Sequence, residues 1–415
     1  MILSRPHPIY PGAALAFALV AFLERPIAAV RPAPPENKTA VQILVTNEKD
    51  TGPGSLRWAI FAADRAQGRV GIEIRSRRIV LETPLPPVLN AAGVVLAAPG
   101  EGVEIDGRSV PAGALLDIDS PGSVVSGLKL KGAVRQGILV RSSGVALRGL
   151  TFTECEEGVH VLAGAQAVTI EGSTFDQNRT GVGVDPGASR IAIHDNSFRK
   201  HDRAAVWAVS SSPSPGSVSI LRNRFEEDRM SLVLINVPAR VEDNRFLRPV
   251  EAAAYLTGAP VLLGNRVDAG ASVGIYIAAA DGARIEENEV SNCLAVGILL
   301  RQSRNTEVRR NRLFGNGYGI AVVLDGKGAP NVIADNLVLS QRVDGLFMLG
   351  ASPFVHDNRI LGNRQAGLRI LDYIPLREPR VAALPVVRDT NVLKDNHWNE
   401  LRGEYREPAE AEPRP

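Results

Sequence analysis

An asparagine followed two residues later by a bulky apolar side chain returns at nearly even spacing along this chain, and no other feature restricts the fold so strongly. The motif reads DNSF ending at Phe198, RNRF at Phe225, DNRF at Phe246, GNRV at Val267, ENEV at Val290, RNRL at Leu313, DNLV at Val338 and DNRI at Ile360. Upstream, Leu130, Phe152 and Phe175 continue the apolar position without the asparagine, and the eleven anchors lie 23 residues apart on average. Between anchors a small residue opens a run of alternating apolar positions, as in GILV, GVHV, GVGV, AVWAV, GIYI, GIAV and GLRI. Alternation with period two is the mark of a strand. Each repeat therefore holds two or three short strands and has no room for a crossover helix. Parallel strands without helices must wind as a coil, each turn hydrogen-bonded to the next at about 4.8 Å. The expected fold is all-β: a right-handed parallel β-helix, a solenoid of roughly 12 rungs.

Stacked coils give the asparagine a structural task. Asn196, Asn223, Asn244, Asn265, Asn288, Asn311, Asn336 and Asn358 are expected to form a ladder at one corner, bonding to each other and to turn backbone. The apolar anchors point inward as a continuous column. The two cysteines, Cys155 and Cys293, each follow an anchor by three residues, six rungs apart. That separation is about 29 Å, against a disulfide limit near 7 Å, so both are expected to be free thiols.

Composition excludes some functions. The chain has 47 basic and 45 acidic residues, a net charge of +2, which supplies no field to attract nucleic acid. The ends are set apart from the coil. Residues 1–29 contain Arg5, an apolar run from Ala13 to Leu23 and small residues near Ala29, the order of a signal peptide or, if uncleaved, of an N-terminal anchor. Only that segment is expected to meet a membrane. Residues 30–40 form a Pro-rich linker and 404–415 a disordered Glu/Pro tail, leaving 41–403 for the β-helix. Export to the periplasm or beyond, as a monomer, is the expectation. An open solenoid exposes its terminal strands; residues 54–66, with Leu56, Ile60 and Ala63 on one face and Ser55 as N-cap, are expected to be a capping helix. From Ile360 to Trp398 is 38 residues, too long for one repeat, and 372–391 is expected to be an insertion covering the flank.

TNEKDTGPGSLRWAI from Thr46, the VEIDG at 103–107 and the later Gly-strand-Asn rungs resemble the pectate lyase superfamily of parallel β-helix proteins. The resemblance extends over about residues 41–400 and implies fold more specifically than activity. The WIDH element of its classical lyases is missing, as are the paired acidic and GHG motifs of polygalacturonases. Arg377-Glu378-Pro379-Arg380 lacks the strand context of the lyase motif. Asp185-Pro186 matches half of the DPHD element of mannuronan epimerases, but Gly187 and Ala188 stand where His and Asp are needed. What the resemblance implies for a ligand is a place on the outer face of one sheet.

That face can be read from the strand signature, because in G-apolar-x-apolar the x points outward. It gives Leu139, His160, Gly183, Trp207, Val233, Tyr255, Tyr276, Leu299, Ala321, Phe347 and Arg369, with Asp185 and Arg301 in the neighbouring outward column. So many apolar and aromatic side chains facing out imply either a ligand or a covering segment. Trp207, Phe347, Asp185 and Arg369 are candidate substrate-binding residues for an acidic, uronate-containing polysaccharide. The chemistry that suits them is proton abstraction beside a uronate carboxylate, leading to elimination or C5 epimerisation, with His160 or Tyr255 as base, Tyr276 as acid and Arg301 neutralising the carboxylate. A hydrolase is disfavoured, since Asp185 is the one carboxylate read on this face. No cofactor is required; calcium would rest on Asp185, and a single carboxylate makes a weak site. The reading from another class is a non-catalytic scaffold or adhesin that docks proteins on the same flank. His194, His201 and His356 fall in turns and are expected to be solvated.

Overall fold

The computed structural model describes residues 41–100, 102–214, 216–270, 272–373, 381–398, 403 and 405. The expected signal peptide or anchor, the linker, most of the tail and residues 374–380 of the expected insertion lie outside the described residues. What is described is a parallel β-helix. Three sheets run its length: a first of 15 strands from Val41–Val45 to Val386–Val387, a second of 14 from Arg78–Val80 to Val392–Lys394, and a third of 12 from Leu116–Ile118 to Leu368–Leu371. Every ladder within them is parallel, and each complete coil gives one strand to each sheet. The single helix among the described residues is Leu56–Arg65, whose N-cap Ser55 accepts from the Trp58 backbone N–H. Its buried face, Leu56, Ala59, Ile60 and Ala63, closes the start of the coil, with Asn90 donating to Ala63 O at 2.8 Å.

The repeat is the register. Phe152, Phe175, Phe198, Phe225 and Phe246 pair in sequence across the second sheet, and their rings stack with centroids 4.7, 4.7, 4.9 and 4.8 Å apart. The column continues through Val267, Val290, Leu313, Val338 and Ile360. Each anchor also dictates the small residue that opens the third-sheet strand. A Cβ on Gly158 would lie 2.8 Å from the Phe175 ring and 2.7 Å from Gly181 O, and one on Gly297 would lie 2.9 Å from Leu313 Cδ2. Dense packing leaves no space there for a side chain.

The asparagine ladder is present and buried. Asn196 Nδ2 donates to Asn223 Oδ1 at 3.0 Å, and the same bond repeats through Asn244, Asn265, Asn288, Asn311, Asn336 and Asn358, ending on Asn391. The residue before each asparagine adopts left-handed backbone, for example Asp195 (φ 57°), Arg222 (φ 50°) and Asp335 (φ 57°). That conformation costs an L-residue roughly 1–2 kcal/mol; the ladder bonds at each bend offset it.

A second ladder runs three residues past the anchors, and it corrects the reading of His201. Cys155, Asn178, His201, Asp228, Cys293, Asn316, Gln341, Asn363 and Asn396 share this offset, and the side chain of one coil accepts the backbone N–H of the coil before, as Asn178 does from Cys155 and Asp228 from His201. His201 is not a solvated turn residue: its side chain and that of Asp228 are fully buried, joined by an Nδ1···Oδ1 contact of 2.7 Å. Both cysteines are free and buried in this column.

The last coil differs from the expected boundaries. Leu393 pairs with Ile360 and takes the anchor position, while Trp398 bridges to Ala366. Residues 386–387 and 392–394 thus belong to the solenoid, and the insertion begins after Leu371 and ends before Val386. Its described stem, Tyr373 and Val381, forms an antiparallel bridge.

Candidate functional site

The third sheet presents the expected outward column in the expected order. Strand pairing links Leu139, His160, Gly183, Trp207, Val233, Tyr255, Tyr276, Leu299, Ala321, Phe347 and Arg369 as successive Cα partners. At about 4.8 Å per step, the candidate residues divide into separate places along one face.

At the centre lies an apolar groove of about 370 Å³, lined by Trp207, Met230, Val233, Ile235, Ala252, Tyr255, Val273 and Tyr276, with Glu251 at its edge. The alternation of the strands puts these side chains outside while Val206, Leu232, Ala254 and Ile275 fill the core. Tyr255 and Tyr276, half-buried on adjacent coils, meet edge to face with centroids 4.9 Å apart. Arg301, exposed one coil further, reaches the Tyr276 hydroxyl; that hydrogen bond, and then the nearby Tyr373 and Tyr255 oxygens, hold its guanidinium above its ordinary pKa. Tyr373 comes from the stem of the insertion and carries no repeat signal, which is why the sequence did not reveal it. Trp207 is half-buried, and one face of its indole carries the Arg203 guanidinium, 3.6 Å from the ring centroid.

His160 is four steps from Tyr255 and five from Tyr276, about 19 and 24 Å. It cannot act on the same bond as Tyr276, so of the two expected bases only Tyr255 is placed beside the expected acid. His160 instead belongs to a charged cluster. Its Nδ1 lies 2.7 Å from Glu157 Oε2 and its Nε2 3.0 Å from Asp185 Oδ1. Burial pushes the imidazole pKa down, but the two carboxylates, Glu157 foremost, outweigh it and leave the value raised. Glu157 is a second carboxylate on this face, which the sequence reading missed because it precedes the Gly of its strand signature. A signal was available one coil on: a Cβ at Gly183 would lie 1.8 Å from Glu157 Oε1, so the missing side chain makes the space the carboxylate occupies. Among the described residues no group of three or more His, Cys, Asp or Glu side chains is arranged to hold a metal ion.

Phe347 and Arg369 sit beyond the groove. Phe347 packs against Tyr318, centroids 5.2 Å apart. Arg369 is engaged by the protein itself: its Nε lies 3.0 Å from Asp344 Oδ2, its Nη2 bonds Gln365 Oε1 at 2.8 Å, and the Asp344 side chain is fully buried. Burial raises the Asp344 pKa despite the backbone N–H of Ala366 and the Arg369 charge. A guanidinium that compensates a buried carboxylate is not free to take a ligand's charge.

Comparison with solved structures finds the same winding in proteins of very different sequence. A mannuronic acid specific polysaccharide family 6 lyase from human gut microbiota aligns with a TM-score of 0.52 at 13% identity, over 84% of this chain and 91% of that one. PfbA, a surface adhesin of Streptococcus pneumoniae, aligns with a TM-score of 0.50 at 13% identity, over 76% and 93%. The periplasmic alginate epimerase AlgG aligns with a TM-score of 0.39 at 13% identity, over 77% and 78%. No curated protein matches the sequence significantly. The family model described as "Right handed beta helix region" matches residues 115–260 and 240–338, more than half of the chain, a stretch that includes strands of all three sheets, the asparagine ladder from Asn196 to Asn336, and Arg301. The chain belongs to the right-handed β-helix family.

Proposed function

We propose that this protein is an exported, carbohydrate-associated β-helix that binds an acidic, uronate-containing polysaccharide along its third sheet. The observation that carries the reading is the apolar groove of half-buried Trp207, Tyr255 and Tyr276 ending on Arg301. Aromatic faces suit the apolar faces of sugar rings, and the guanidinium suits a carboxylate. The fold is shared with a polysaccharide lyase, which supports the carbohydrate reading, and with a surface adhesin, which keeps the non-catalytic scaffold as its rival.

The paired tyrosines also have the layout for lyase or C5-epimerase chemistry. Tyr255, acting as its phenolate, would take the proton from the carbon bearing the carboxylate and become the neutral phenol, Arg301 would stabilise the negative charge that spreads into that carboxylate, and Tyr276 would protonate the leaving oxygen. In elimination the C–H and glycosidic C–O bonds break and a C=C bond forms; in epimerisation a proton returns to the opposite face. Incubation with uronate polymers, followed by the absorbance of unsaturated uronate and by the NMR signature of inverted C5 centres, tests both. Product formed by the wild type and lost in Tyr255→Phe and Tyr276→Phe supports the chemistry. Binding without product leaves a carbohydrate-binding protein, and neither binding nor product gives the scaffold reading its place.

A further inference from the structure

The groove has a cation at each end. Arg203 lies on the indole of Trp207 at one end, and Arg301 stands beside Tyr276 at the other. Both arginines are exposed, and among the described residues neither makes an ion pair. The neighbours of Arg203 on the rim before the strands are different: Arg179 pairs with Glu156, and Arg229 holds Glu251 at 2.7 Å, so the one carboxylate on the groove's edge is already neutralised. Trp207 and Tyr276 are three coil steps apart and Arg301 is rooted one step further. Along the solenoid axis the two cations are thus three to four steps apart, about 14–19 Å at the strand spacing.

We propose that Arg203 and Arg301 form a two-point reader for an anionic chain lying along the solenoid axis, so that the groove selects oligouronates long enough to place a carboxylate on each. This inference rests on the carbohydrate reading above and specifies its ligand: charged at both ends of the contact, and several residues long, since a pyranose adds roughly one coil step to a polymer. Arg203 is well suited to the role. Its position over Trp207, 3.6 Å from the ring centroid, restrains the guanidinium and so lowers the entropy lost on binding a carboxylate.

The test is calorimetric titration of the full chain with digalacturonate, tetragalacturonate and the neutral cellotetraose, repeated with Arg203→Gln, Arg203→Lys and Arg301→Gln. Unchanged thermal melting of each variant establishes that it is folded. Each Gln variant is expected to weaken tetragalacturonate binding roughly ten- to a hundredfold, the weight of one charge-assisted hydrogen bond, and added salt is expected to weaken the wild type further. Arg203→Lys, which keeps the charge, falls between. Digalacturonate, too short to span the pair, is expected to bind weakly and to respond to one variant at most. Equal binding of cellotetraose and tetragalacturonate, or tetragalacturonate binding indifferent to both Gln variants, overturns the two-point reader while leaving a carbohydrate groove. No binding of any of the three overturns the carbohydrate reading as well.

Discussion

Replacing Asn265 by Ala interrupts the asparagine ladder at its middle, and the structure says what is lost. Asn265 is fully buried. Its Oδ1 is the acceptor for both the backbone N–H and the Nδ2 of Asn244, each at 3.0 Å, and its Nδ2 donates to Val241 O at 2.8 Å and to Asn288 Oδ1 at 2.9 Å, an oxygen that the Asn265 backbone N–H continues to satisfy. Asn244 Nδ2 keeps its bonds to Ile220 O and Glu242 O, but its backbone N–H keeps none, and Val241 O loses a donor. Two buried groups left unsatisfied at 1–3 kcal/mol each give about 3 kcal/mol, with the methyl group too small to fill the space. In a solenoid that loss is felt mainly by the coils touching it. Amide hydrogen exchange followed by mass spectrometry is therefore the assay: protection over residues 241–268 is expected to fall about a hundredfold, the equivalent of about 3 kcal/mol, while protection over residues 332–361 stays as it was. Asn391→Ala, at the half-buried end of the ladder where water can replace the lost partner, should cost about 1 kcal/mol. If exchange near Asn244 changes by less than about fivefold, the ladder is not what holds the bend, and the stacked apolar column must hold it unaided.

Two further outcomes follow from the charged and sulfur-bearing groups. His160 has a raised pKa in the folded chain, so its contribution to stability is fully present below its ordinary value near 6.5 and fades as pH rises through the folded value; the melting-temperature difference between wild type and His160→Gln should shrink from pH 6 to pH 9, and a difference that grows over that range refutes the assignment. Burial pushes the thiol of Cys155 up to about 11 and that of Cys293 to about 12, so a disulfide reagent at neutral pH should label neither in the native protein and both after denaturation, whereas prompt native labelling would contradict their burial.

The sequence was most legible where one position repeats. A side chain that recurs once per coil must lie over its counterparts, so the anchors, the asparagine ladder and the outward column from Leu139 to Arg369 could be placed by counting alone. The second ladder was equally countable. His201 follows Phe198 by three residues, as Cys155 follows Phe152, and the same rule that placed the cysteines places it inside. Judging His201 by its residue type, as a polar group in a turn, was the error; a buried Asp228 one coil on satisfies it. Counting fails where function departs from the repeat. Glu157 precedes the pattern, Tyr373 comes from an insertion, and Arg203, though it follows Arg179 of the coil before, reaches Trp207 from the corner ahead of the strand, so none falls in the outward column that the count reads. Arg369 illustrates a further limit: its outward position was readable, but the buried Asp344 that claims its charge comes from a corner whose direction the strand rule does not give.

The third sheet's outward column adds little to the interior, because the residues on either side of each outward position are the ones that fill it. Its twelve strands are in effect a ruler with divisions of about 4.8 Å, on which an exposed side chain such as Arg301 can be exchanged without disturbing the marks. Moving a positive charge from Arg301 to Val323 or to Ala278, its strand partners on either side, displaces it by a single division and leaves its orientation unchanged. A scaffold of this kind can be retuned to polymers of another charge spacing by sliding substituents along a line, a change that a pocket assembled from unrelated loops does not permit.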